Sequence, residues 1–542
     1  MKDIKKLILD LIEHIKTNES AQNMAIIFEC ITIILLAGGY PIIHLMLYRM
    51  GPLSSLMSIF VLTAVWCAYG SFVFIYTLSK LYKTKTGRSY LQDHHKYKHS
   101  YFALVNFFEA AEPHKLDLSG FPTGTWKDYH GLIFGEADGR LIAVPATTEG
   151  NICVFGPPGT GKTAGIAIVN ACSYSGSVLA IDIKGDIYSY VRKHTKRTIL
   201  RFCPDARNAE ERSMHYDPMA GIHDMDETRK RLEIEDMANV LIPDEGQGEN
   251  TYFSSRARKL YQGIVFLLLD QKPDLTFPEI IHSILEGNVF DWVTSAINSS
   301  CRPAKEQLAS FFGNNEKNVS GAYDCLCSAL IHYSNPVLDV LLSPHGGHCI
   351  SSKDLERGAD IYLQISQKNL DVYGPLFTLI IQQISTNFAK RPDSSTGIHS
   401  RPILVIADEL PALSFNYDLL NRNLSTLRSK SVTYMIICQN LSQLDYKYDS
   451  TGERSIIGNC AFQVILGCND PKSAKDFSDL FGQKRVLTRS NSESIHSKSV
   501  SVSEGFEKVY PPETFGDLPA TGEEIIYFKG RYAKIKKLNC YK

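Results

Sequence analysis

Apolar and polar positions follow four patterns along this chain. At the start, Ile4, Leu7, Ile8, Leu11, Ile12 and Ile15 recur at helical spacing, with lysines and acids between them. This predicts an amphipathic helix, either lying on the inner leaflet of a membrane or packing on the body of the protein. Two long uncharged stretches follow. Residues 31–48 are apolar apart from His44, with Glu29 just before them, and 50–79 contain no charged side chain. As a helix, 56–78 would measure roughly 35 Å, enough to cross a bilayer. With Arg49, Met50, Gly51 and Pro52 as a turn, the two stretches read as a helical hairpin. Third come short apolar runs ending on polar residues: 151–155, 177–181 before Asp182, 403–407 before Asp408, 433–438 before Gln439, and 462–467 near Asn469 and Asp470. Strands of a parallel sheet buried on both faces read this way, and such sheets bind ligands at their C-terminal edge. Fourth, 229–241 and 256–269 carry apolar residues at helical spacing. No alternating strand runs surround them, so 222–335 reads as an all-α domain.

Basic residues orient the hairpin. Lys2, Lys5, Lys6 and Lys16 precede the first stretch, Lys80, Lys83, Lys85, Arg88, Lys96 and Lys98 follow the second, and Arg49 stands alone in the turn. The positive-inside rule then places both flanks, and the body after them, in the cytoplasm. The expectation is a multi-pass protein of the cytoplasmic (inner) membrane.

Composition narrows the classes. The 542 residues exceed one ordinary domain. Fifty-seven Lys+Arg against 58 Asp+Glu leave a net charge of −1, which excludes a wholly basic nucleic-acid binder but not a local basic channel. A mean hydropathy of −0.12 is too polar for a polytopic transporter and suits a large polar body with one or two spans. The 13 cysteines are scattered and include no CxxC pair, which reads as buried reduced thiols.

The chemistry begins after the first buried-strand run. Gly156-Pro157-Pro158-Gly159-Thr160-Gly161-Lys162-Thr163 matches G-x-x-x-x-G-K-[ST] in full, and a helix-compatible run follows at Ala164–Ala171. Strand, loop and helix form the context that the motif requires. Its glycines let backbone N–H groups turn inward onto phosphate oxygens. Lys162 offsets charge on the β- and γ-phosphates, and the Thr163 hydroxyl takes a place on Mg²⁺. Far downstream, the run at 403–407 ends in Asp408-Glu409, a Walker B pattern. There an Asp holds Mg²⁺ and an adjacent Glu polarises the attacking water. The two motifs lie too far apart for a compact P-loop core, so something is inserted between them. Gln439, at the end of another predicted strand, is placed either to sense the γ-phosphate or to cap a helix. ATP and Mg²⁺ are the expected ligands.

This combination resembles the TraG-like coupling proteins of type IV secretion and conjugation systems, in the RecA-like class with FtsK and HerA. The resemblance covers nearly the whole chain. Asp182-Ile-Lys-Gly-Asp186 is similar to the family's D-P-K-G-E element, with Ile183 and Asp186 as departures. Tyr216-Asp-Pro-Met219 is similar to its N-P-L element. Leu424-Ser-Thr-Leu-Arg428 and Cys438-Gln-Asn-Leu-Ser-Gln-Leu444 follow the Walker B as the R and Q-x-x-x-Q-L elements do. Phe477–Gly482, the Ser-rich run after it, which reads as a flexible loop at 490–503, and a final strand near 524–530 complete the match. Thr251-Tyr-Phe-Ser-Ser lacks the tryptophan of the family's F-W element, and the turn between the predicted spans is shorter than in many members.

The resemblance implies an α/β fold: a RecA-like P-loop ATPase with a mostly parallel sheet, an inserted all-α domain and an N-terminal transmembrane hairpin. Its layout is an anchor at 1–90, a nucleotide-binding domain in two pieces at 91–221 and 336–542, and the insertion at 222–335. It implies that Lys162, Thr163, Asp408 and Glu409 form the catalytic set, with Gln439 as sensor. Arg428 would be an arginine finger reaching a neighbouring subunit, hence a ring, and the family is associated with hexamers. The implied partners are the bilayer, components of a type IV secretion channel, and a relaxase–DNA complex or protein cargo. Single- or double-stranded DNA is a possible ligand, and Arg256, Arg258, Lys259 and Lys430 are basic residues that either face a channel or form a solvated face. Two other readings stay open: a nucleotide-switched receptor or scaffold without translocation, and an FtsK/HerA-like DNA translocase.

Overall fold

The computed structural model describes residues 114–541 apart from 206–212, 244–248, 345–346, 398–399, 414, 416 and 495–496. The expected surface helix and hairpin at 1–90 lie outside the described residues.

The body comprises His114–Gln483 and Lys508–Lys542. Its strands are β1 (Gly131–Ala137), β2 (Arg140–Pro145), β3 (Asn151–Phe155), β4 (Ser177–Asp182), β5 (Ile199–Phe202), β6 (Asp360–Gln364), β7 (Ile403–Ala407), β8 (Val432–Cys438) and β9 (Cys460–Ile465). After a hairpin, β10 (Gln483–Ser494) and β11 (Ser497–Lys508), come β12 (Glu523–Phe528) and β13 (Arg531–Lys536). Apart from the hairpin they form one 11-stranded sheet in the order β2-β1-β13-β12-β9-β3-β8-β7-β4-β6-β5. From β9 to β5 every pairing is parallel, while β12, β13, β1 and β2 extend the sheet with antiparallel pairings.

The central strands are apolar at successive positions because both faces are covered. On β3, β4, β7 and β8, residues such as Cys153, Leu179, Val405 and Ile436 enter one core, and their neighbours Val154, Ala180, Ile406 and Met435 enter the other. That alternation follows from the two-residue period of a strand.

Helices fill the crossovers. The P-loop helix α1 (Ile168–Ser173) and α2 (Asp186–His194) come first. Between β5 and β6 the regular elements are helical: α3 (Glu227–Leu241), α4 (Glu249–Gln271), α5 (Phe277–Glu286), α6 (Val289–Asn298), α7 (Arg302–Leu308), α8 (Glu316–Leu330), α9 (Pro336–Leu341) and α10 (Ser352–Arg357). The apolar stripe of α4, including Leu260, Tyr261, Ile264 and Val265, is buried, and it packs against α3, α7 and α8. Then come α11 (Leu370–Ala389), α12 (Tyr417–Thr426), α13 (Leu441–Gly458), α14 (Pro471–Phe481) and α15 (Pro512–Thr521).

Two expectations need correction. Among the described residues no helix is long and apolar enough to cross a membrane, so the expected multi-pass placement in the inner membrane, with the bilayer as partner, is not supported. A span needs about 20 predominantly apolar residues. The two longest described helices are interrupted by polar groups: Arg256, Arg258, Lys259 and Asp270 in α4, Asp371, Gln382, Gln383 and Asn387 in α11. Second, the Ser-rich run at 490–503 is mostly strand rather than loop. Its Ser-Val alternation around Val500 and Val502 has the strand period, which a count of serines hides.

Candidate nucleotide site

The phosphate-binding motif sits where β3 ends. Gly159 (φ +78°) and Gly161 (φ +96°) occupy the left-handed region, which L side chains rarely adopt, so the turn requires glycine there. The Thr160 hydroxyl donates to Pro157 O at 2.8 Å. The Lys162 ammonium donates to Gly156 O at 2.5 Å and Pro157 O at 3.1 Å, bracing the loop across its mouth. Lys162–Ala167 then form a π-helical turn leading into α1, a local irregularity frequent at functional sites. Buried Asn170 fastens this helix to the sheet: its Oδ1 accepts from Ile133 N (2.8 Å), and its Nδ2 donates to Ile133 O (2.7 Å) and Ile166 O (2.9 Å).

Because β8 pairs with β3 and β7 pairs with β8, the C-terminal edge presents the P-loop, Gln439 and Asp408-Glu409 side by side. Adjacent strands lie about 4.8 Å apart, so the two motifs, remote in sequence, stand about 10 Å apart. Beyond them β4 ends at Asp182. Gln439 is part-buried, and its N–H donates to Gln443 Oε1 at 3.0 Å.

The charges of this edge interact. Burial pushes Asp408 up to about 7, with the carboxylates of Asp182 and Glu409 adding to the shift. Burial likewise raises Asp182 to about 6, opposed by hydrogen bonds from Tyr188 N and Gly185 N, each 2.8 Å. Burial lowers Lys162, against the pull of Asp408 and Glu409. Glu409 adopts a left-handed backbone (φ 55°, ψ 51°). For a non-glycine residue this stores on the order of 1–3 kcal/mol and is characteristic of functional positions. Its Oε1 lies 3.5 Å from Lys184 Nζ.

Thr163, in the turn that follows the P-loop, and Asp408, at the end of β7, are the residues that could hold a divalent cation. Among the described residues no group of three or more His, Cys, Asp or Glu could hold a metal unaided. That fits Mg²⁺ at a phosphate site, where one or two protein oxygens are completed by phosphate and water. Asp408, crowded by two further carboxylates, would gain from such a charge.

Arg428 is not at this edge. It lies in the turn Leu427–Lys430 before β8, at the opposite end of that strand, with its side chain 53% exposed and 3.9 Å from Glu149 Oε2. Lys184 and Asn170 were missed as site residues, as was Asn151, whose side chain ties the start of β3 to Leu424 O, Asn459 O and Tyr434 N. Asn151 and Asn170 each stand in otherwise apolar runs, and a buried amide must find partners; that was the available signal.

A P-loop on a central strand of a parallel sheet, with an acidic pair two strands away, defines the P-loop NTPase class. Comparison with known proteins gives the lineage within it. The model of the family described as type IV secretory system conjugative DNA transfer matches residues 126–542, and the chain belongs to that family. VirD4 of Rhizobium radiobacter is 24% identical over 425 residues, covering 76% of this chain and 60% of the relative. TraG of Escherichia coli is 20% identical over 462 residues, covering 77% and 70%. The chain thus spans about 60% of the length of the VirD4 relatives it matches. The fold is similar to the bacterial conjugative coupling protein TrwB in its unbound form (TM-score 0.57, 18% identity, 76% of this chain and 89% of that one). It is also similar to TrwB in complex with ADP and Mg²⁺ (TM-score 0.54, 18% identity, 73% and 87%).

Proposed function

We propose that this protein is an ATP-hydrolysing coupling protein that recruits relaxase-bound DNA or protein cargo and drives its delivery to a type IV secretion channel. The observation that carries this reading is the meeting, at one sheet edge, of a complete P-loop with Asp408 and a strained Glu409. Family membership supports the cargo and the channel.

In this reading the N–H groups of Gly159–Thr163 and the Lys162 ammonium bind the β- and γ-phosphates. Thr163 and Asp408 hold Mg²⁺, which when bound neutralises phosphate charge. Glu409 orients the attacking water and accepts its proton, with Lys184 steadying the carboxylate. Gln439, between the two motifs, senses the γ-phosphate. Arg428, exposed and away from its own subunit's site, serves as the finger for a neighbour in a hexameric ring around single- or double-stranded DNA.

The test is ATP turnover by the full chain with and without DNA, joined to a transfer assay. Lys162→Ala should abolish turnover, and Glu409→Gln should lower kcat at least about 100-fold while ATP still binds. Arg428→Ala should lower turnover only of the assembled ring. A wild type inert under every condition would sink the motor reading. Transfer that survives Glu409→Gln would instead favour a nucleotide-switched scaffold.

A further inference from the structure

The left-handed backbone of Glu409 opens a tight turn, in which Ala412 N donates to Glu409 O at 2.9 Å and Leu413 N to Leu410 O at 3.0 Å. A strained non-glycine residue persists only where its surroundings over-determine it. Here the segment after the turn is held from α13. The carbonyls of Pro411, Leu413 and Phe415, at alternate positions, all accept from that helix: Lys447 Nζ donates to Pro411 O at 2.9 Å and to Leu413 O, and Tyr448 Oη donates to Phe415 O at 3.1 Å. Leu410, Leu413 and Phe415 are buried in the same core as Leu444 and Tyr448. Resting on the reading of Glu409 as the group that activates water, we propose that Lys447 is a positioning residue, which clamps the segment 411–413 and thereby aims the Glu409 carboxylate.

The helix that carries Lys447 starts at the site. α13 begins where β8 ends, and its cap Asn440 accepts from Gln443 N at 3.0 Å through its side chain. Gln443 Oε1 accepts from Gln439 N at 3.0 Å. Gln443 and Lys447 stand four residues apart, so they share one face of the helix. That face fastens the backbone of Gln439 and, one turn further on, the segment that follows Glu409. Both are thereby fixed relative to β8.

The chemistry of the clamp suits a lysine. Burial lowers the Lys447 ammonium to about 8, and what it meets there is backbone carbonyl oxygen. An ammonium carries three donors, so it bridges two carbonyls at once, and bonds from a charged donor are stronger than neutral ones. On its other side Lys447 borders a cleft of about 680 Å³, shared with Asp236 and Arg258 of the helical insertion and Arg422 of α12. The side chain lines this cleft rather than filling a packed core, so a methionine in its place removes the donors and keeps the bulk.

The experiment measures ATP turnover and calorimetric ATP binding of the full chain with Mg²⁺ and DNA. It compares wild type, Lys447→Met, Glu409→Gln and the double variant. A reacting group misplaced by about 1 Å costs up to about 100-fold, so Lys447→Met should lower kcat about 10–100-fold. KM and ATP affinity should stay within about twofold, because the lost interaction acts on the reaction and not on nucleotide binding. With Glu409→Gln no carboxylate remains to be aimed, and there the same substitution should change the residual rate by less than about twofold. Tyr448→Phe deletes only the donor to Phe415 O and should lower kcat by a smaller factor. Circular dichroism checks folding, and if the methionine variant unfolds, Lys447→Gln enters the same comparisons under the same criteria.

The inference is overturned if the folded Lys447 variant keeps wild-type kcat or loses ATP affinity along with turnover. It is equally overturned if the substitution lowers the rate by the same factor with and without the Glu409 carboxylate. A wild type without turnover, or Glu409→Gln with undiminished kcat, overturns the Glu409 reading itself, a separate result seen before any Lys447 variant is made.

Discussion

Asn170→Ala should loosen the P-loop helix from the sheet, by an amount the local hydrogen bonds set. In an antiparallel ladder the N–H and C=O of one residue point the same way. Those of Ile133 point to Asn170, away from β2, because β13 meets β1 only at Glu136. The Asn170 amide therefore stands in for a missing strand. Removing it orphans two backbone groups in a fully buried place, each costing about 1–3 kcal/mol, and frees Ile166 O as well. The expected local loss is about 3 kcal/mol, which speeds exchange roughly 100-fold if each 1.36 kcal/mol is tenfold. Hydrogen–deuterium exchange resolved over 131–137 reads this directly, while exchange at β5 and β6 should stay near wild type. Asn170→Asp keeps an acceptor for Ile133 N but loses both donors and buries a charge, so it should rescue nothing. Less than about threefold faster exchange at Ile133 in the alanine variant would refute the reasoning.

Arg197 wraps the fully buried Asp360: Nε and Nη2 donate to its carboxylate, Nη1 donates to Tyr174 O (2.6 Å), and Nη2 also donates to Gly176 O (2.5 Å). Arg197→Ala should destabilise by about 3–5 kcal/mol in chemical denaturation by stranding a buried charge, and Arg197→Lys should recover little because it lacks the planar fork. Glu524 is fully buried, neither of its oxygens has a hydrogen-bond partner, and burial holds its pKa well above the ordinary value, with Lys537 opposing. Between the unfolded value of 4.5 and the raised one the folded state binds more protons. This group's contribution is therefore whole below pH 4.5 and is lost as pH rises towards its folded pKa. Melting temperatures measured across this range should decline less steeply in Glu524→Gln than in wild type.

Much of the site was legible because its chemistry is local. The motif at 156–163 carries its own conformational instructions: glycines where φ is positive, Lys162 and Thr163 at the helix start. The central strands were legible for a related reason, since burial on both faces demands an unbroken apolar run. The outlying strands were harder. β13 alternates exposed and buried positions, β1 and β2 are short runs whose polar residues sit at or near their ends, and the edge strand β5 is only Ile199–Phe202. A run that short is lost among others of its kind.

The chain by itself determined the phosphate loop, the acidic pair and the doubly buried strands, each specified by neighbours in sequence. Tertiary structure decided what stands beside them. The strand order inserts β8 between β3 and β7, which puts Gln439 between the two motifs and Arg428 at the far end of the same strand. Packing also brings Lys184 to Glu409, Asn170 to Ile133 and the C-terminal segment onto the P-loop helix. Those relations depend on which surfaces bury each other across tens to hundreds of residues, and no short window of sequence carries that information.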